Sequence, residues 1–326
     1  MKLVDIAYIY HDLKKDIHEV ERELARSIET DQHVLNETSH QLLNAGGKRI
    51  RPIFVLLAGK FGDYSIERLK RVAVPLELIH MATLVHDDVI DNAQTRRGKK
   101  TVKAEWGNRI AMYTGDYILA KSLQIVSKIS DPSVHRVLSD AIVEMAKGEI
   151  EQIRDFFNWQ QNLRRYLRRI KRKTALLIAI SCQLGGMVCE ASSRSVRALY
   201  HYGYNAGMAY QIKDDILDFT GTAKQLGKPA GSDLRQGNIT LPVIYTLARA
   251  DEQQKKQIRT YLQSGGSAFN IDDMVDMIKN SEGIQFAQSL ADVYLNKAIA
   301  ALDELPSGRS RDSLEQIANF IGERSY

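Results

Sequence analysis

The chain has 326 residues, of which 44% are hydrophobic and 26% charged, a balance typical of a folded protein rather than a disordered chain or a membrane protein. A formal net charge of +5 favours anionic partners without identifying them. The first 20 residues carry acids and histidines where a secretory signal has an unbroken apolar core, and only two cysteines are present. We therefore expect a cytoplasmic protein without a disulfide framework or zinc site.

Apolar residues recur at helical spacing along almost the whole chain, and runs of apolar-polar alternation are hard to find. The pattern predicts an all-α protein. We expect helices at 3–29, 33–44, 51–62, 65–92, 108–129, 133–157, 162–189, 193–220, 239–249, 251–264, 271–279, 283–304 and 309–322. No Pro/Ser-rich linker divides the chain, so we expect one large helical domain over 1–326.

Glycine and proline mark the breaks in this pattern. Gly46 and Gly47, followed by Pro52, indicate a helix stop and a helix start. Pro75 should kink the fourth predicted helix or end its first part. The segment 220–238 is the one long glycine-bearing loop, and loops of that length in a compact domain are commonly functional.

Two neighbouring segments differ sharply in charge. The uncharged run 174–189 is shorter than the roughly 20 apolar residues that a membrane span needs, so we interpret it as a buried helix, with Cys182 and Cys189 as buried thiols. The preceding run "RRYLRRIKRK", 164–173, is densely basic, which raises nucleic acid or an anionic membrane surface as partners. Its apolar residues keep helical spacing, so we favour a solvated basic face that binds no nucleic acid.

Two acidic clusters of the same form stand far apart in the chain, each after an apolar helical run. They are Asp87, Asp88 and Asp91 in "LVHDDVID", and Asp214, Asp215 and Asp218 in "QIKDDILD". Residues four apart project from one face of a helix, so each cluster offers a pair of carboxylates. Oxygen ligands at this spacing suit Mg²⁺ shared with substrate phosphates. One such cluster is as readily a solvated helix end, but two favour the rim of a cavity that binds a polyphosphate.

Cationic side chains suited to phosphate oxygens occur in glycine-rich or turn-like contexts. They are Lys48, Arg49, Arg51, Arg96, Arg97, Lys173 and Lys228. Each alone is more often a surface charge. Together with two carboxylate pairs, they predict a site for two phosphorylated ligands.

These stretches resemble the trans-prenyl diphosphate synthases, the head-to-tail polyprenyl synthetase family. The resemblance runs in family order from "GGKRIRP" through "ELIHMATLVHDDVIDNAQTRRG", "KGEIEQ", "KRKTALL" and "YQIKDDILDFTG" to "GKPAGSDLRQGNITLPV". It implies an all-α bundle around a deep central cavity, with the two acidic clusters on opposed helices. The implied reaction is an Mg²⁺-dependent condensation of isopentenyl diphosphate with an allylic diphosphate such as farnesyl diphosphate.

The matching motifs imply a role for each residue. Metal ions that bridge the allylic diphosphate would be bound by Asp87, Asp88, Asp91, Asp214, Asp215 and Asp218. The allylic diphosphate would contact Arg96, Lys173 and Lys228, with Thr174 and Gln211 beside the reacting carbon. Isopentenyl diphosphate would contact Lys48, Arg51, His80 and Arg97. The catalytic set would be Asp87, Asp88, Asp91, Lys173, Gln211 and Asp214, and we interpret His86 as a paired charge.

The chemistry fits these residue types. Magnesium and cationic side chains stabilise the charge that develops as diphosphate leaves a largely dry site. The double bond of isopentenyl diphosphate then attacks C1 of the allylic cation, and the proton is lost to the departing diphosphate. No nucleophilic Ser or Cys is needed.

The growing tail must run away from the first acidic cluster, so residues one and two turns before Asp87 should form its floor. Ala82 and Thr83 stand where short-chain family members tend to carry bulky aromatics, and Ile79 is aliphatic. The resemblance therefore implies an open tunnel and a product between hexaprenyl and decaprenyl, closest to heptaprenyl diphosphate for a quinone side chain.

The resemblance also implies a homodimer, or a heterodimer with a small regulatory subunit. We hypothesise that the basic run 164–172 docks this partner or an anionic membrane that receives the product. The Glu-x-x-His pairs at 37–40 and 77–80 leave a di-iron carboxylate bundle as an alternative, although it does not explain six aspartates. A non-catalytic subunit would lack the acidic pairs, and a terpene cyclase or head-to-head synthase would lack the isopentenyl diphosphate set.

Overall fold

The computed structural model describes residues 2–222 and 229–324, with side chains described from residue 7 onward. The helices are α1 (Lys2–Asp12), α2 (Lys14–Ser27), α3 (His33–Asn44), α4 (Ile50–Gly59), α5 (Ile66–Ile90), α6 (Val102–Val126), α7 (Pro132–Arg154), α8 (Leu163–Ile170), α9 (Leu176–Val188), α10 (Ser193–Thr220), α11 (Ser232–Arg235), α12 (Leu241–Arg249), α13 (Glu252–Gln263), α14 (Ile271–Lys279), α15 (Glu282–Ala301) and α16 (Arg309–Glu323). A π-helical segment, Lys171–Ala175, joins α8 to α9, and a 3₁₀ turn, Leu302–Glu304, follows α15. One antiparallel hairpin, β1 (Thr95–Arg96) and β2 (Lys99–Lys100), separates α5 from α6. The predicted all-α class is confirmed.

Contacts divide the chain into two compact units. The first unit comprises Met1–Ser139, Ile180–Tyr200 and Glu304–Leu314. The second unit comprises Asp140–Ala179, His201–Asp303 and Glu315–Tyr326. One domain over 1–326 around a central cavity stays a prediction.

The first unit is built around α5, which packs against α2, α4 and α6. The sequence of α4, "IRPIFVLLAG", is apolar on nearly every side, and the helix is accordingly buried. The hydroxyl of Ser65 caps the start of α5 by accepting the backbone N–H of Arg68. These contacts hold α5 along its length and so fix the position of its C-terminal end, where the first acidic cluster lies.

The second unit has its own core, formed by residues such as Tyr166, Ile212 and Phe219. In this core α12 packs against α8, α13, α14 and α15. A Cβ atom at Gly207 of α10 would lie only 2.6 Å from the Cα atom of Ala175. The glycine therefore lets α10 approach the π-helical segment closely.

Several helix boundaries differ from the sequence prediction. The predicted helix 3–29 is two helices that meet at Leu13, and 162–189 is divided by the π-helical segment. The α5 helix continues through the buried Pro75, so the prediction that this proline could end its first part is wrong. Burial of the surrounding helix outweighs the loss of one backbone hydrogen bond there.

The basic run 164–173 is only partly a solvated face. Arg169 is buried and donates two hydrogen bonds of 2.6 Å, to Gln161 Oε1 and to a backbone carbonyl. Arg172 forms 2.8 Å ion pairs with Glu144 and Glu151. The prediction of a solvated face is therefore wrong for these two arginines, because they hold parts of the second unit together.

The uncharged run that follows is buried, as predicted. Cys182 and Cys189 are free, fully buried thiols, and burial raises the pKa of both. Within the described ranges, no helix is both long and apolar enough to cross a membrane.

Two adjacent glycines of α9 provide a matched test of packing. A Cβ at Gly185 would lie 2.3 Å from the backbone oxygen of Val55, whereas one at Gly186 would first meet a methyl group of Leu199, at 2.8 Å. We expect Gly185→Ala to lower the free energy of unfolding by about 1–3 kcal/mol, because the backbone cannot move aside. We expect Gly186→Ala to be nearly neutral, because the helix propensity of alanine offsets the crowding. Urea unfolding measures both, and equal losses would contradict this account.

Candidate active site

The first acidic cluster lies where α5 ends. Asp88 is only 3% exposed, and its Oδ1 accepts hydrogen bonds from Nε and Nη2 of Arg96 at 2.9 and 2.8 Å. Burial raises the pKa of Asp88, although the Arg96 guanidinium opposes the shift. Asp87 and Asp91 are partly exposed one turn apart. The cluster therefore has one inward carboxylate held by arginine and two that solvent reaches.

The arginine partner comes from the β1–β2 hairpin, which the sequence analysis missed. Arg96 pairs with Lys99 across the hairpin, and the two turn residues, Arg97 and Gly98, have φ of 54° and 76°. Two successive residues in the left-handed region are typical of a type I′ turn, whose tightness matches the strand twist. The turn places Arg96 and Arg97 directly after the acidic cluster. Gly98 was the sequence signal that could have predicted this turn.

The "GGKRIRP" loop brings further cations to the same unit. A Cβ at Gly47 would lie 2.7 Å from Nη1 of Arg97 and 3.3 Å from Nη1 of Arg49, so the missing side chain makes room for two guanidinium groups. Arg49 is buried and ion paired with Glu77 at 3.2 Å and with Glu21 at 3.4 Å. Arg49 therefore anchors the loop, and its neighbours Lys48 and Arg51 lie on either side of this anchor.

His80 lies among these arginines. Burial lowers the pKa of His80 well below its ordinary value, and the charges of Arg51, Arg97, Arg96 and Arg49 lower it further. The imidazole is therefore neutral at physiological pH. The excess of positive charge around a neutral ring is chemically suited to an anion. All of the predicted isopentenyl diphosphate residues belong to this unit.

The di-iron alternative is wrong. Glu77 is committed to the buried Arg49, and His80 faces positive charge. In the other Glu-x-x-His pair, His40 contacts the backbone oxygen of Asn36 at 2.8 Å. His86 is 3.3 Å from Asp116 of α6 rather than paired with its aspartate neighbours.

A chain of hydrogen bonds organises the second acidic cluster. Thr174 Oγ1 donates to Gln211 Oε1 at 2.6 Å, and Gln211 Nε2 donates to Asp215 Oδ1 at 2.8 Å. The buried Tyr166 donates its hydroxyl to the other oxygen, Asp215 Oδ2, at 2.7 Å. Asp215 is 3% exposed, and burial, assisted by the negative charge of Asp233, raises its pKa to about 8. The structure thus brings Thr174 and Gln211 together with the cluster, as the prediction requires.

Lys173 lies in the π-helical segment, a form often found at functional sites. Its Nζ donates to Gln152 Oε1 at 3.0 Å and is 3.9 Å from Glu149 Oε2. Both partners belong to the "KGEIEQ" motif of α7, so three predicted motifs meet within the second unit. Lys228 lies outside the described residues.

The remaining aspartates of this cluster differ in exposure. Asp218 is 2% exposed, and its Oδ2 accepts the backbone N–H of Asp233, which ties the loop after α10 back to the helix end. The side chain of Asp214 is 48% exposed and lies 3.7 Å from Nη2 of Arg324. Asp214 is therefore the member that solvent reaches most easily.

The donor chemistry of the two clusters fits a hard divalent cation. Across the described ranges, no three His, Cys, Asp or Glu side chains are arranged to hold a metal ion by themselves. Mg²⁺ in particular is usually bound through one or two carboxylates, with water and substrate phosphates completing its shell. Asp87, Asp91 and Asp214 expose carboxylate oxygens that suit this kind of binding.

The predicted tunnel-floor residues lie on α5 before the acidic cluster. Ile79 and Ala82 are buried, and Thr83 is partly buried with its hydroxyl bonded to the backbone oxygen of His80 at 2.8 Å. Their role in product length stays a prediction.

Comparison with known proteins decides the family. The model of the polyprenyl synthetase family matches residues 32–279. The chain belongs to the polyprenyl synthetase family. It is 54% identical to heptaprenyl diphosphate synthase component 2 of Bacillus subtilis (strain 168), over 97% of this chain and 90% of that protein. It is 52% identical to the protein of the same name in Geobacillus stearothermophilus, over 98% of each.

Solved structures agree with this assignment. The heptaprenyl diphosphate synthase of Staphylococcus aureus superposes with a TM-score of 0.89 at 40% identity, covering 96% of this chain and 98% of that one. A polyprenyl synthase of Caulobacter crescentus CB15, solved with calcium and isoprenyl diphosphate, gives 0.92 at 30% identity, covering 97% of each. The predicted trans-prenyltransferase activity is confirmed for this polyprenyl synthetase, and a divalent cation belongs to the chemistry of the family.

Sequence reasoning missed one buried polar residue near the acidic cluster of each unit. Tyr166 holds Asp215, and Lys103 is buried with its ammonium bonded to Asn92 Oδ1, just after the first cluster. A signal existed for Tyr166, because it shares one helical face with Ile170. Nothing in the sequence pattern marked Lys103.

We expect the buried Asp215 to make stability depend on pH when no divalent cation is present. Its pKa rises from 3.8 to about 8 on folding, so its contribution is fully present below pH 3.8 and is lost as pH rises toward 8. In EDTA, Asp215→Asn should gain stability relative to the unsubstituted chain by up to about 1.4 kcal/mol per pH unit in this window.

Thermal unfolding at a series of pH values measures this gain. Asp276→Asn, at an exposed position of α14, is the control and should track the unsubstituted chain. A pH-independent difference for Asp215→Asn would show that the carboxyl group is already ionised in the folded state.

Proposed function

We propose that this polyprenyl synthetase condenses isopentenyl diphosphate with farnesyl diphosphate, using Mg²⁺, to make all-trans heptaprenyl diphosphate for a quinone side chain. The observation that carries the proposal is the first unit's combination of an acidic helix end with a neutral His80 among four arginines. Such a pairing suits a metal-bound diphosphate beside a second diphosphate. The names of the B. subtilis and G. stearothermophilus relatives support the heptaprenyl length.

The two acidic clusters hold the metal-bound allylic diphosphate in this proposal. Bound Mg²⁺ supplies neutralisation of the charge that develops on the leaving diphosphate. The metal ligands are Asp87, Asp88, Asp91, Asp214, Asp215 and Asp218. Arg96 both steadies Asp88 and directs a guanidinium toward the same substrate, and Lys173 and Lys228 add point charges.

Isopentenyl diphosphate binds through Lys48, Arg51, Arg97 and the neutral His80. Because the ring is uncharged, His80 positions an oxygen by a hydrogen bond without adding a fifth positive charge. Gln211 is held from both sides by Thr174 and Asp215, so its amide keeps one orientation beside the reacting carbon. A fixed amide dipole stabilises the allylic cation without reorganising during the reaction.

A partner component fits an exposed apolar stripe on α7. Val143, Ala146, Ile150 and Ile153 recur at spacings of three and four residues, and all four are exposed. This is the spacing of a helix seam that packs against another helix. The two relatives called component 2 imply, by that name, a second component. We take this stripe, rather than the basic run 164–172, as the surface for a partner chain, identical or different.

The reaction test uses purified protein with farnesyl diphosphate and labelled isopentenyl diphosphate, with and without a cognate small component. We expect a heptaprenyl product with Mg²⁺ and none with EDTA. Asp87→Asn and Asp214→Asn should each lower the rate by at least about 10²-fold, since electrostatic stabilisation of the leaving group is lost. Asp116→Asn, exposed on α6, is the control and should retain full rate. Equal rates in all three variants would refute the assigned metal ligands.

Product length should respond to Thr83. We expect Thr83→Tyr to shorten the product, because a phenol one turn before Asp87 blocks the growing tail, whereas Thr83→Ser should leave the length unchanged. Sizing the lipid product by chromatography measures this. A heptaprenyl product from a folded Thr83→Tyr variant would contradict the proposed floor.

Assembly should depend on Ile150, which is 67% exposed. We expect Ile150→Asp to weaken self-association or association with the small component by at least about tenfold, because a charge would enter an apolar seam. Asp273→Lys, at an exposed position of α14, is the control for a change of charge. Analytical ultracentrifugation reports both, and an unchanged complex with Ile150→Asp would exclude this stripe.

A further inference from the structure

A cavity lies in the second unit, and none of the residues assigned to the reaction lines it. It is a partly open cavity of about 330 Å³, lined by α12, α13, α15, the start of α8 and the segment before α8. None of its lining residues belongs to an acidic cluster or to the predicted phosphate-binding set. The volume is about eleven times the roughly 30 Å³ that a water molecule occupies in the liquid, so there is room for a ligand of roughly ten non-hydrogen atoms.

The walls of this cavity are mostly apolar and aromatic. Leu241 and Ile244 of α12 form one side together with Leu163. Tyr245 and Phe286 stack with their ring centroids 4.3 Å apart and their planes 19° from parallel. Stacked rings are rigid surfaces that change little on binding. The cavity therefore favours a hydrocarbon or aromatic body.

One charged group lines this apolar cavity. The guanidinium carbon of Arg259 lies 4.7 Å from the centre of the Trp159 ring, a cation–π arrangement that fixes the side chain. Arg259 Nε is buried and has no hydrogen-bond partner within the described part of the chain. The polar neighbours Gln161 and Asn162 are already engaged, by Arg169 and by the start of α8 respectively. Arg259 is therefore the lining residue that supplies positive charge for an anionic head group.

We propose that this cavity binds a small amphipathic anion, with an unbranched or aromatic body of roughly ten non-hydrogen atoms and one carboxylate or phosphate head. The body lies against Leu241, Ile244 and the Tyr245–Phe286 stack, and the head pairs with Arg259. This assignment stands independently of the proposed reaction, because it uses none of the same residues.

The two tryptophans of the chain allow a direct test. Trp106→Phe leaves Trp159 as the single indole, so its fluorescence reports occupancy of the cavity. The probes are decanoate, decyl phosphate, neutral decanol and inorganic phosphate, each below its micelle-forming concentration. We expect the two anionic amphiphiles to change Trp159 emission saturably at micromolar to submillimolar concentration. Decanol should bind at least about tenfold more weakly, and inorganic phosphate should not saturate.

Variants separate the head-group site from the apolar body. Arg259→Gln should weaken both anionic probes by about tenfold and leave decanol unchanged, since only the charge-assisted hydrogen bond is lost. Ala248→Phe should fill the cavity and weaken all amphiphiles. Lys256→Gln, exposed one turn earlier on α13, is the matched control and should bind like the parent.

Calorimetry on the unsubstituted chain supplies the same dissociation constants without the Trp106 substitution, and circular dichroism checks that each variant folds. Equal affinity for decanol and decanoate, or unchanged binding in folded Arg259→Gln and Ala248→Phe, would overturn the assignment. So would the absence of saturable binding to the unsubstituted chain.

Discussion

The constraint on which each acidic cluster depends is the burial of one carboxylate at a helix end. Asp88 and Asp215 are almost fully removed from solvent, where the charged form is costly unless donors or cations compensate it. The Arg96 guanidinium compensates the charge of Asp88. Asp215 has two neutral donors, Tyr166 and Gln211, while the charges that act on it most are those of other acids. A divalent cation bound at either helix end would favour the ionised form of its buried carboxylate, as our proposal requires.

In the first unit, positive charge lies near α5 about two turns before its acidic end. Burial, and then the charges of four arginines, lower the pKa of His80 and keep its ring neutral. The missing side chain at Gly47 makes room for two of these arginines. Glu77 fixes only Arg49, the anchor of the loop. Helix α5 therefore carries acids at its end and a cationic environment two turns earlier. A prenyltransferase needs this separation, since one diphosphate must leave and the other must stay bound.

The sequence predicted the fold class, and the proximity of Thr174 and Gln211 to the second acidic cluster, better than it predicted local backbone geometry. Helical periodicity and the spacing of the aspartates depend on residue types alone, so both could be read directly. The π-helical segment could not be predicted from the sequence, because one extra residue in a turn hardly disturbs the apolar pattern. Arg169 was placed on the solvated face because it lies among exposed arginines, yet it shares the buried side of α8 with Tyr166 and Ile170. A run of like charges does not reveal which member faces inward.

We propose that both acidic helix ends bind metal when the allylic substrate is present. Anomalous diffraction from crystals grown with Mn²⁺ and a non-reactive thio analogue of farnesyl diphosphate tests it most directly. We expect Mn²⁺ peaks within bonding distance of carboxylate oxygens from the Asp87–Asp91 cluster and of the Asp214–Asp218 cluster. A bound analogue whose metal ions contact neither cluster, or only one of them, would contradict the account.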